Sequence, residues 1–514
     1  MSPAGEVTLA RLHEDGIGRA IVDSAGVDPG AVVVRGVRHD SRAVQPGDLF
    51  AALPGEHVDG ARFATSAAAR GAVAFLATRP LGAGRPTLVS GAVRRDLARA
   101  SHRVYGDPTA ALDVVGITGT NGKTTTAFLV DAMLARLGCR PALSTTVMTR
   151  VGSTVAPASH TTPEADDLAR VARDAVRARA THLVMEVSSH GLALDRVEAV
   201  RFRVAAFTNL TQDHLDFHGT MAAYGEAKAR LFTELHPRAS VVNVADPFGA
   251  TLASRASGAC VRCAPRALPA GVAADVEVLS STSGPEGIHA EIATPSGQVR
   301  LESPLVGAHN LENLVVALGC AVALDLDVRD AAAALGAAPA APGRLERIAH
   351  PRGVLVLVDY AHTPDALARA IDAVRDASKG RLFVVFGAGG ERDRTKRAPM
   401  GRAVAERADG VVLTNDNPRG EPPAQIFAEV EAGLRDAGAS PVEPGALARE
   451  RGYVVEPDRA AAIAVALAAA RAGDAVLIAG KGHEPYQIIG EQRLPFDDRE
   501  VARRAIAALA EGGR

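Results

Sequence analysis

Short apolar runs recur along the chain, and each is long enough for one β-strand. They are separated by stretches of helix length that are rich in Ala, Arg and Leu. Continuous apolar strands that alternate with helices are typical of α/β units, in which a parallel sheet is buried on both faces. We therefore predict an α/β fold whose ligands bind beyond the carboxyl ends of the strands. The predicted strands are Leu112 to Ile117, Leu183 to Val187, Val204 to Phe207, Val241 to Val244, Val354 to Val358, Leu382 to Phe386, Val411 to Leu413 and Ala475 to Ile478.

Two segments divide the chain. The stretch from Tyr105 to Pro108 predicts a turn or linker just before the strand that begins at Leu112. The Ala- and Pro-rich stretch from Ala337 to Gly343 precedes a second group of strands. With 514 residues the chain is too long for one ordinary core, and its length suggests about three domains. We therefore predict domains at residues 1–108, 109–341 and 342–514.

Charge and composition exclude several classes of function. The formal net charge is −2, so the chain has no overall basic field that would attract nucleic acid or anionic lipid. Charged residues from Glu6 to Asp15 interrupt any apolar run near the first residue, and no uncharged apolar run is long enough for a membrane span. Four cysteines are too few for a disulfide scaffold. We expect a cytoplasmic protein, without membrane insertion or a nucleic-acid partner.

Cys260 and Cys263 form a CxxC pair, which could hold a metal or act in redox chemistry. A zinc site needs two more ligands, and no second CxxC or paired histidines follow in the sequence. The alternative is that both are small apolar residues at the edge of a strand. We favour this second interpretation.

A glycine-rich segment from Gly116 to Thr125 (GITGTNGKTT) follows an apolar strand and precedes a predicted helix. Glycines let backbone N–H groups surround phosphate oxygens, and the helix N-terminus adds a favourable dipole. Lys123 would contact the β- and γ-phosphates, and the Thr124 hydroxyl would bind Mg²⁺. The common phosphate-loop motif requires Gly at position 117, where this chain has Ile117. The context of strand, loop and helix nevertheless predicts nucleotide binding.

Further motifs occur before and after the phosphate loop and cover nearly the whole chain. Together with the phosphate loop they resemble those of the Mur ligases and, less closely, of the related folylpolyglutamate synthases. The motifs are Asp40-Ser41-Arg42, Gly47 to Phe50, Gly55 to Gly60, Thr161-Thr162-Pro163, Glu186 to Gly191, Asn209 to Asp216, Tyr224 to Lys228, His309 to Asn313, Gly343-Arg344, Asp359 to Pro364, Gly389 to Asp393, Asp416 to Arg419 and Gly480 to Glu484.

The resemblance implies three domains and one reaction. The domains bind a UDP-sugar-peptide, ATP and an amino acid, in that order; the central one is a parallel-sheet domain like the P-loop ATPases, and the last is Rossmann-like. The reaction is ATP-dependent amide-bond formation through an acyl phosphate. It joins 2,6-diaminopimelate to the D-glutamate of UDP-N-acetylmuramoyl-L-alanyl-D-glutamate, a precursor of peptidoglycan. We expect a monomer and the meso isomer, although the residues themselves leave meso and LL open.

By the same resemblance, the catalytic residues are Lys123, Glu186, His214 and Lys228. Mg²⁺ would be bound by Thr124, Glu186, His214 and Lys228. An ammonium group cannot bind a cation, but the family carries a carbamylated lysine, in which CO₂ has converted the amine into an anionic oxygen ligand. The residues expected to contact ATP are Gly119, Thr120, Asn121, Gly122, Lys123, Thr124, Thr125, Asn310, Arg344 and Asp359.

The resemblance also implies the residues that contact the UDP-sugar-dipeptide: Ser41, Glu56, His57, Val58, Thr161, Thr162, Ser188 and Arg196. Two positions depart from the family pattern. Relatives often carry Asn where this chain has His160, and some carry Gln where it has Leu194. His160 retains a ring nitrogen for hydrogen bonding, whereas the Leu194 side chain has none. Leu194 is therefore left out of the predicted site.

Diaminopimelate differs from lysine by a carboxylate at its far end. An arginine that binds this carboxylate through two hydrogen bonds would select diaminopimelate. Arg419 is such a residue, in a turn stiffened by Pro418 after an apolar strand. The tetrapeptide DNPR matches the diaminopimelate-selecting pattern of the family. The implied contacts are Arg392, Asp416, Asn417, Pro418, Arg419, Gly480 and Glu484.

Three alternatives remain at this point. A lysine-adding ligase of the same family is the nearest, and Arg419 argues against it. A folylpolyglutamate synthase would not suit the segment from Asp40 to Gly60. A nucleotide-dependent switch protein is suggested by Asn243 to Asp246, which has a faint similarity to a guanine-binding NKxD motif, although Val244 replaces the lysine.

Overall fold

The computed structural model describes residues 6–22, 26–55, 58–268 and 273–511. Glu56 and His57, two of the predicted contacts, lie outside these ranges. The chain divides into two compact units. The first comprises residues 1–277, 294–296 and 315–334, and the second comprises 278–293, 297–314 and 335–514. Within the described ranges, no helix is both long and apolar enough to cross a membrane.

The first segment of the first unit is a small α/β layer. Its strands β4 to β7 are parallel neighbours in the order β7-β6-β5-β4, and β2 joins β7 in antiparallel orientation. Apolar residues such as Leu49 and Leu76 are fully buried. The elements are β1 (Val7–Thr8), α1 (Leu9–Glu14), β2 (Ala20–Val22), β3 (Val33–Val34), β4 (Gly36–Arg38), β5 (Asp48–Ala51), α2 (Ala64–Ala69), β6 (Ala74–Ala77), β7 (Thr87–Val89) and α3 (Val93–Val104).

The rest of the first unit contains most of a larger sheet, whose strands are neighbours in the order β11-β10-β9-β12-β8-β13-β14-β15-β16, followed by β17 and β18, whose ranges are given below. Successive neighbours from β9 through β12, β8, β13, β14 and β15 to β16 are parallel, as the continuous apolar runs of β8, β12 and β13 predict, whereas β10 is antiparallel to β9 and to β11. The elements are β8 (Asp113–Thr118), α4 (Lys123–Arg136), β9 (Pro141–Ser144), β10 (Met148–Val151), β11 (Thr154–Pro157), α5 (Ala165–Arg177), β12 (His182–Glu186), α6 (Ser189–Ala193), β13 (Phe202–Phe207), α7 (Leu215–His218), α8 (Met221–Thr233), β14 (Ala239–Asn243), α9 (Pro247–Arg255), β15 (Ala259–Ala264) and β16 (Val276–Gly284).

The second unit contains a six-stranded sheet in the order β19-β20-β24-β21-β22-β23. All its strands are parallel except β19, and apolar clusters cover both faces. The further elements in chain order, of which β17, α10 and α11 have residues in both units, are β17 (Gly287–Thr294), β18 (Gly297–Ser303), α10 (Ala308–Ala323), α11 (Val328–Gly336), β19 (Glu346–Ile348), β20 (Leu355–Asp359), α12 (Pro364–Ala377), β21 (Leu382–Phe386), α13 (Arg397–Ala405), β22 (Gly410–Leu413), α14 (Pro423–Asp436), β23 (Gly452–Val455), α15 (Arg459–Ala469), β24 (Ala475–Ala479), β25 (Tyr486–Ile489), β26 (Gln492–Pro495) and α16 (Asp498–Glu511).

All eight predicted strands are present, and no bound differs from the prediction by more than two residues. A difference of two residues occurs at β13, which begins at Phe202 rather than Val204. The charge of Arg203 interrupts the apolar run there, yet its side chain reaches Asp325 Oδ2 at 2.7 Å while the backbone stays in the sheet. The predicted functional motifs follow β8, β12, β13, β20, β22 and β24 at their carboxyl ends.

Candidate active site

The phosphate loop, residues 119–122, joins the carboxyl end of β8 to α4. Gly119 and Gly122 have φ angles of 148° and 84°, in the region that favours glycine. A Cβ on Gly119 would lie 1.9 Å from Thr208 Oγ1, so a larger residue would not fit. Thr208 Oγ1 donates to the Asn121 carbonyl at 2.6 Å. The loop is thus held at the N-terminus of α4, where phosphate oxygens are favoured.

Two lysine side chains converge on this loop. Lys123 Nζ donates to the carbonyl oxygens of Gly119 and Thr120, both at 2.9 Å. Lys228, on α8, donates to the same Gly119 oxygen at 2.8 Å, and its Nζ lies 4.4 Å from the Tyr224 ring centre. Burial, reinforced by the Lys123 charge, lowers the pKa of Lys228 well below its ordinary value. Both causes disfavour the charged form of the Lys228 amine.

Glu186 is the last residue of β12 and is fully buried. Its carboxylate accepts hydrogen bonds from the Thr146 backbone N–H at 2.8 Å and from Thr146 Oγ1 at 3.2 Å. Thr146 Oγ1 also lies 3.0 Å from Thr161 Oγ1. Thr124 is buried in the first turn of α4, which follows β8, the neighbour of β12. Carboxylate and hydroxyl oxygens thus occur at adjacent strand ends, as a magnesium site requires.

His214 precedes α7, and 45% of its side chain is exposed. Its ring centre lies 4.8 Å from that of His190 and 6.2 Å from that of Tyr224. The Tyr224 ring therefore neighbours both His214 and the Lys228 amine. Burial, together with the His214 charge, lowers the pKa of His190, so a neutral imidazole packs against the predicted metal ligand.

The other residues predicted to contact ATP in and after the phosphate loop differ in exposure. Thr125 is buried in α4, whereas Asn121 is exposed. Asn121 is held through its backbone N–H, which donates to Asn209 Oδ1 at 2.9 Å. Thr120 Oγ1 donates to the Thr211 carbonyl at 3.1 Å. The segment after β13 therefore shapes the loop.

Four residues predicted to contact the UDP-sugar-dipeptide lie together around Thr162. Thr162 Oγ1 is 3.0 Å from the Glu186 carbonyl oxygen and accepts from the Ser188 backbone N–H at 2.9 Å. Arg196 donates to the Thr162 carbonyl at 2.9 Å and pairs with Glu164 at 2.7 Å. Thr161 is the neighbouring residue and contacts Thr146.

Ser41 is buried in a short 3₁₀ turn of the first segment, while Val58 is exposed. His39, two residues before Ser41, contacts α5, with its Nδ1 2.7 Å from Asp166 Oδ1. His160 is exposed, and Leu194 is half-buried at the end of α6. Ser41 is thereby held on the same unit as Thr162.

In the second unit, three residues predicted to contact ATP are held by neighbouring groups. Asp359 accepts from the backbone N–H groups of Leu345 and Ala361, both at 2.8 Å. Arg344 stacks on Tyr360, with 4.8 Å between the guanidinium carbon and the ring centre. Asn310 is buried, and its Nδ2 donates to the Val306 carbonyl at 2.8 Å.

The DNPR turn, residues 416–419, follows β22. Asp416, Asn417 and Pro418 are buried, and Asn417 Nδ2 donates to Glu484 Oε2 at 3.1 Å. Arg419 has a left-handed φ of 52°, and its Nη1 donates to the Gly390 carbonyl at 2.8 Å. The predicted amino-acid contacts from two distant segments are thus brought together.

Gly480 and Arg392 complete the predicted amino-acid contacts. Gly480 has a φ of 118°, and a Cβ there would meet Asp416 at 3.8 Å. Arg392 is exposed, and its Nη1 lies 3.5 Å from the Glu391 carbonyl oxygen. Gly480 therefore packs against the DNPR turn, whereas the Arg392 side chain contacts the backbone of the residue before it.

The hairpin β25–β26 supports the DNPR turn and was not predicted from the sequence. Gln487 Nε2 donates to the Asp416 carbonyl at 2.8 Å. Arg419 N–H donates to the Ile488 carbonyl at 3.1 Å, and Gly490 N–H donates to the Arg419 carbonyl at 2.7 Å. The apolar residues around Ile488 could have indicated a strand, but nothing in the sequence shows that this strand contacts the DNPR turn. Thr146 was likewise missed, because the sequence does not show its contact with Glu186.

Other candidate motifs have structural explanations. Asn243 and Asp246 bond to nearby backbone, including Thr208 O at 2.8 Å and Leu210 N at 3.0 Å. Burial raises the pKa of both Cys260 and Cys263 on β15, so the thiol forms are favoured. Neither motif therefore supports the switch or redox interpretation.

One group in the described part of the chain has metal-ligand spacing: His39, Asp166 and Asp167. Arg170 pairs with both carboxylates, and its Nη1 lies 3.1 Å from Asp166 Oδ2. The negative charge that would attract a cation is thus already compensated. We assign this group to an ion-pair network.

Sequence models of the Mur ligase family match three successive segments. The catalytic domain matches residues 33–104, the middle domain 117–321 and the glutamate ligase domain 343–482. A relative from Geobacter metallireducens, named UDP-N-acetylmuramoyl-L-alanyl-D-glutamate--2,6-diaminopimelate ligase, is 43% identical over 498 residues, which are 94% of this chain and 96% of the relative. The chain belongs to the Mur ligase family.

A second relative of this Mur ligase, from Streptomyces coelicolor, has the same name and is 44% identical over 500 residues, which cover 95% of each chain. A solved structure of a UDP-N-acetylmuramoyl-L-alanyl-D-glutamate--2,6-diaminopimelate ligase has a TM-score of 0.71 and 32% identity, over 98% of this chain and 99% of that one. These similarities confirm the predicted α/β fold class and the predicted enzyme class, an ATP-dependent ligase that forms amide bonds.

Proposed function

We propose that this Mur ligase joins 2,6-diaminopimelate to the D-glutamate of UDP-N-acetylmuramoyl-L-alanyl-D-glutamate in peptidoglycan precursor synthesis. The observation that carries the proposal is the meeting of Asn417, Arg419 and Glu484 around one turn. The names of the relatives support it independently. Residues 1–108 would bind the UDP-sugar-dipeptide, residues 109–341 ATP, and residues 342–514 the amino acid. We further propose a cytoplasmic monomer.

The reaction would proceed in two steps. The D-glutamate carboxylate attacks the γ-phosphorus of ATP, which gives an acyl phosphate and releases ADP. The amine of diaminopimelate then attacks the acyl carbon, and the tetrahedral intermediate expels phosphate and loses a proton. Lys123 would stabilise the charge that develops on the transferred phosphoryl group. Mg²⁺ would reduce the repulsion between the carboxylate and the triphosphate.

The buried oxygens at the strand ends fit one magnesium ion, with Thr124 and Glu186 as ligands. His214 and a carbamate on Lys228 would bind the second. A neutral amine is the form that attacks CO₂: the nitrogen bonds to carbon, one proton is released, and an anionic carbamate results. The lowered pKa of Lys228 supports this chemistry. A buried anion would also offset the Lys123 charge beside it.

Amino-acid choice would depend on Arg419. Its guanidinium would bind the distal carboxylate of diaminopimelate, which lysine lacks, while Glu484 would bind an ammonium group. With lysine as the substrate, the Arg419 guanidinium would have no carboxylate partner in the pocket. We therefore propose diaminopimelate rather than lysine as the substrate.

ADP release by the purified enzyme tests the proposed function. We expect turnover to require ATP, Mg²⁺, the UDP-sugar-dipeptide and diaminopimelate together, because the acyl phosphate forms only on a bound carboxylate. Replacing diaminopimelate by lysine, or ATP by GTP, should abolish most turnover. Efficient turnover with lysine would contradict the proposed specificity, and separate assays with the meso and LL isomers would identify the stereochemistry.

A further inference from the structure

Lys481 lies beneath the proposed amino-acid pocket, and its side chain is fully buried. A buried ammonium loses its hydration, so it requires nearby oxygen partners. Lys481 Nζ has three: Asn417 Oδ1 at 3.1 Å, and one carboxylate oxygen each of Asp416 and Glu484 at 3.5 Å. The ring centre of Tyr486 lies 5.6 Å away. This single cation therefore connects the turn after β22 to the turn after β24.

The contact with Asn417 determines which way its amide faces. Asn417 Oδ1 accepts from Lys481 Nζ and from the Ile488 backbone N–H at 2.9 Å. The amide nitrogen then donates to Glu484 Oε2. The reversed amide would place an NH₂ group against two donors and an oxygen against a carboxylate. Lys481 thus selects the orientation in which Asn417 holds Glu484.

The charges lead to the same conclusion. Asp416 and Glu484 each place an oxygen at 3.5 Å from Lys481 Nζ. Without the ammonium, two carboxylates would share a partly buried region and repel each other. Glu484 would then turn away from the position in which it faces an incoming amino acid.

We propose that Lys481 is a positioning residue that fixes both walls of the amino-acid pocket, residues 416–419 and 480–484. It would act through Asn417 and Glu484 and would not contact ATP. This inference rests on the proposed function, because it assigns the diaminopimelate pocket to these walls.

Steady-state kinetics of Lys481→Met tests the proposal. We expect the KM for diaminopimelate to rise roughly 10- to 100-fold. This is the effect of losing one or two charge-assisted hydrogen bonds between the amino acid and a Glu484 that has turned away. The KM values for ATP and the UDP-sugar-dipeptide should not change. The control is Arg381→Met: Arg381 donates to the Glu450 carbonyl at 2.7 Å, at the amino end of β21 and away from the pocket. It should leave the KM for diaminopimelate unchanged.

Lys481→Gln keeps the test decisive if the Met variant does not fold, since Gln retains a donor for Asn417 but removes the charge. It should fold and show a smaller rise in the KM for diaminopimelate. A folded Lys481 variant whose KM for diaminopimelate equals that of the wild-type enzyme would overturn this inference but not the proposed function. Equal changes for all three substrates would assign Lys481 a merely structural role and also overturn it. A wild-type enzyme that does not use diaminopimelate would overturn the proposed function as well.

Discussion

Lys123 and Lys228 donate to the same acceptor, the carbonyl oxygen of Gly119, at 2.9 and 2.8 Å. Two cations cannot share this position without repulsion, and the buried Lys228 has the pKa that is lowered well below its ordinary value. The two lysines are therefore chemically different: we expect Lys123 to act as a cation and Lys228 to be modified.

Lys228→Ala should lose nearly all turnover, because the proposed carbamate oxygens disappear. A short carboxylic acid such as acetate should restore part of the activity by supplying an anionic oxygen in the space left by the side chain. Lys123→Ala should also be inactive, but acetate should not rescue it, since the missing group is a cation. Activity assays with and without acetate compare the two variants. An active, nucleotide-bound wild-type enzyme whose intact mass lacks bound CO₂ would count against the carbamate.

Arg419→Ala should raise the KM for diaminopimelate by roughly 100-fold or more, because a charge-assisted contact in a closed pocket is lost. Arg419→Lys should recover little, since an ammonium lacks the planar pair of donors. The KM for ATP should stay unchanged. Arg394→Ala, at an exposed arginine that pairs with Glu429, is the matched control. If diaminopimelate use survives in Arg419→Ala, the DNPR segment is only a turn.

Arg459 and Asp498 form a fully buried ion pair, with Nη2 and Oδ2 2.7 Å apart. Arg459→Met should lower the free energy of unfolding by about 3–5 kcal/mol, because it leaves the Asp498 carboxylate buried without its cation. The double change Arg459→Met with Asp498→Leu should recover much of this loss. Arg402→Met, which breaks an exposed pair with Asp436, should cost at most about 1 kcal/mol. Urea unfolding would measure the free energy of unfolding of all three variants. A loss in Arg459→Met no larger than that in Arg402→Met would contradict the assigned role of the buried pair.

The His39–Asp166 contact should make stability depend on pH. Hydrogen bonding and the Asp166 charge outweigh burial and raise the pKa of His39, so its contribution is complete below the unfolded value of 6.5 and is lost as pH rises through the folded pKa. The pKa of Asp166 is lowered despite burial, so its contribution is lost only in acid. His39→Gln should remove roughly 1 kcal/mol of stability at pH 6 and much less at pH 9.

Urea midpoints at the two pH values check this prediction. His289→Gln, at an exposed histidine in the second unit, is the control and should show no comparable change between the two pH values. Equal destabilisation by His39→Gln at both pH values would show that packing, rather than charge, accounts for its contribution.

The sequence predicted the parallel strands well, because the consecutive apolar side chains of a strand such as Leu382 to Phe386 are all buried only when both faces of its sheet are covered. It could not predict contacts that depend on how strands are ordered in space. Lys481 meets Asp416 across 65 residues, and His39 meets Asp166 across 127. Nothing in the local sequence of either partner specifies the other. The motifs identified the segments of the site, and the sheet order determined which side chains support them.

The hairpin β25–β26 holds the Arg419 backbone from both sides, through Ile488 and Gly490, in a left-handed conformation. Such a conformation costs a non-glycine residue about 1–3 kcal/mol, and the other contacts of the folded protein offset this cost before substrate binds. The backbone of the pocket wall is therefore already in place, and little conformational entropy should be lost when an amino acid binds. Differences in affinity among diaminopimelate analogues should consequently reflect their direct contacts with Arg419, so this turn is a favourable template for fitting rigid inhibitors.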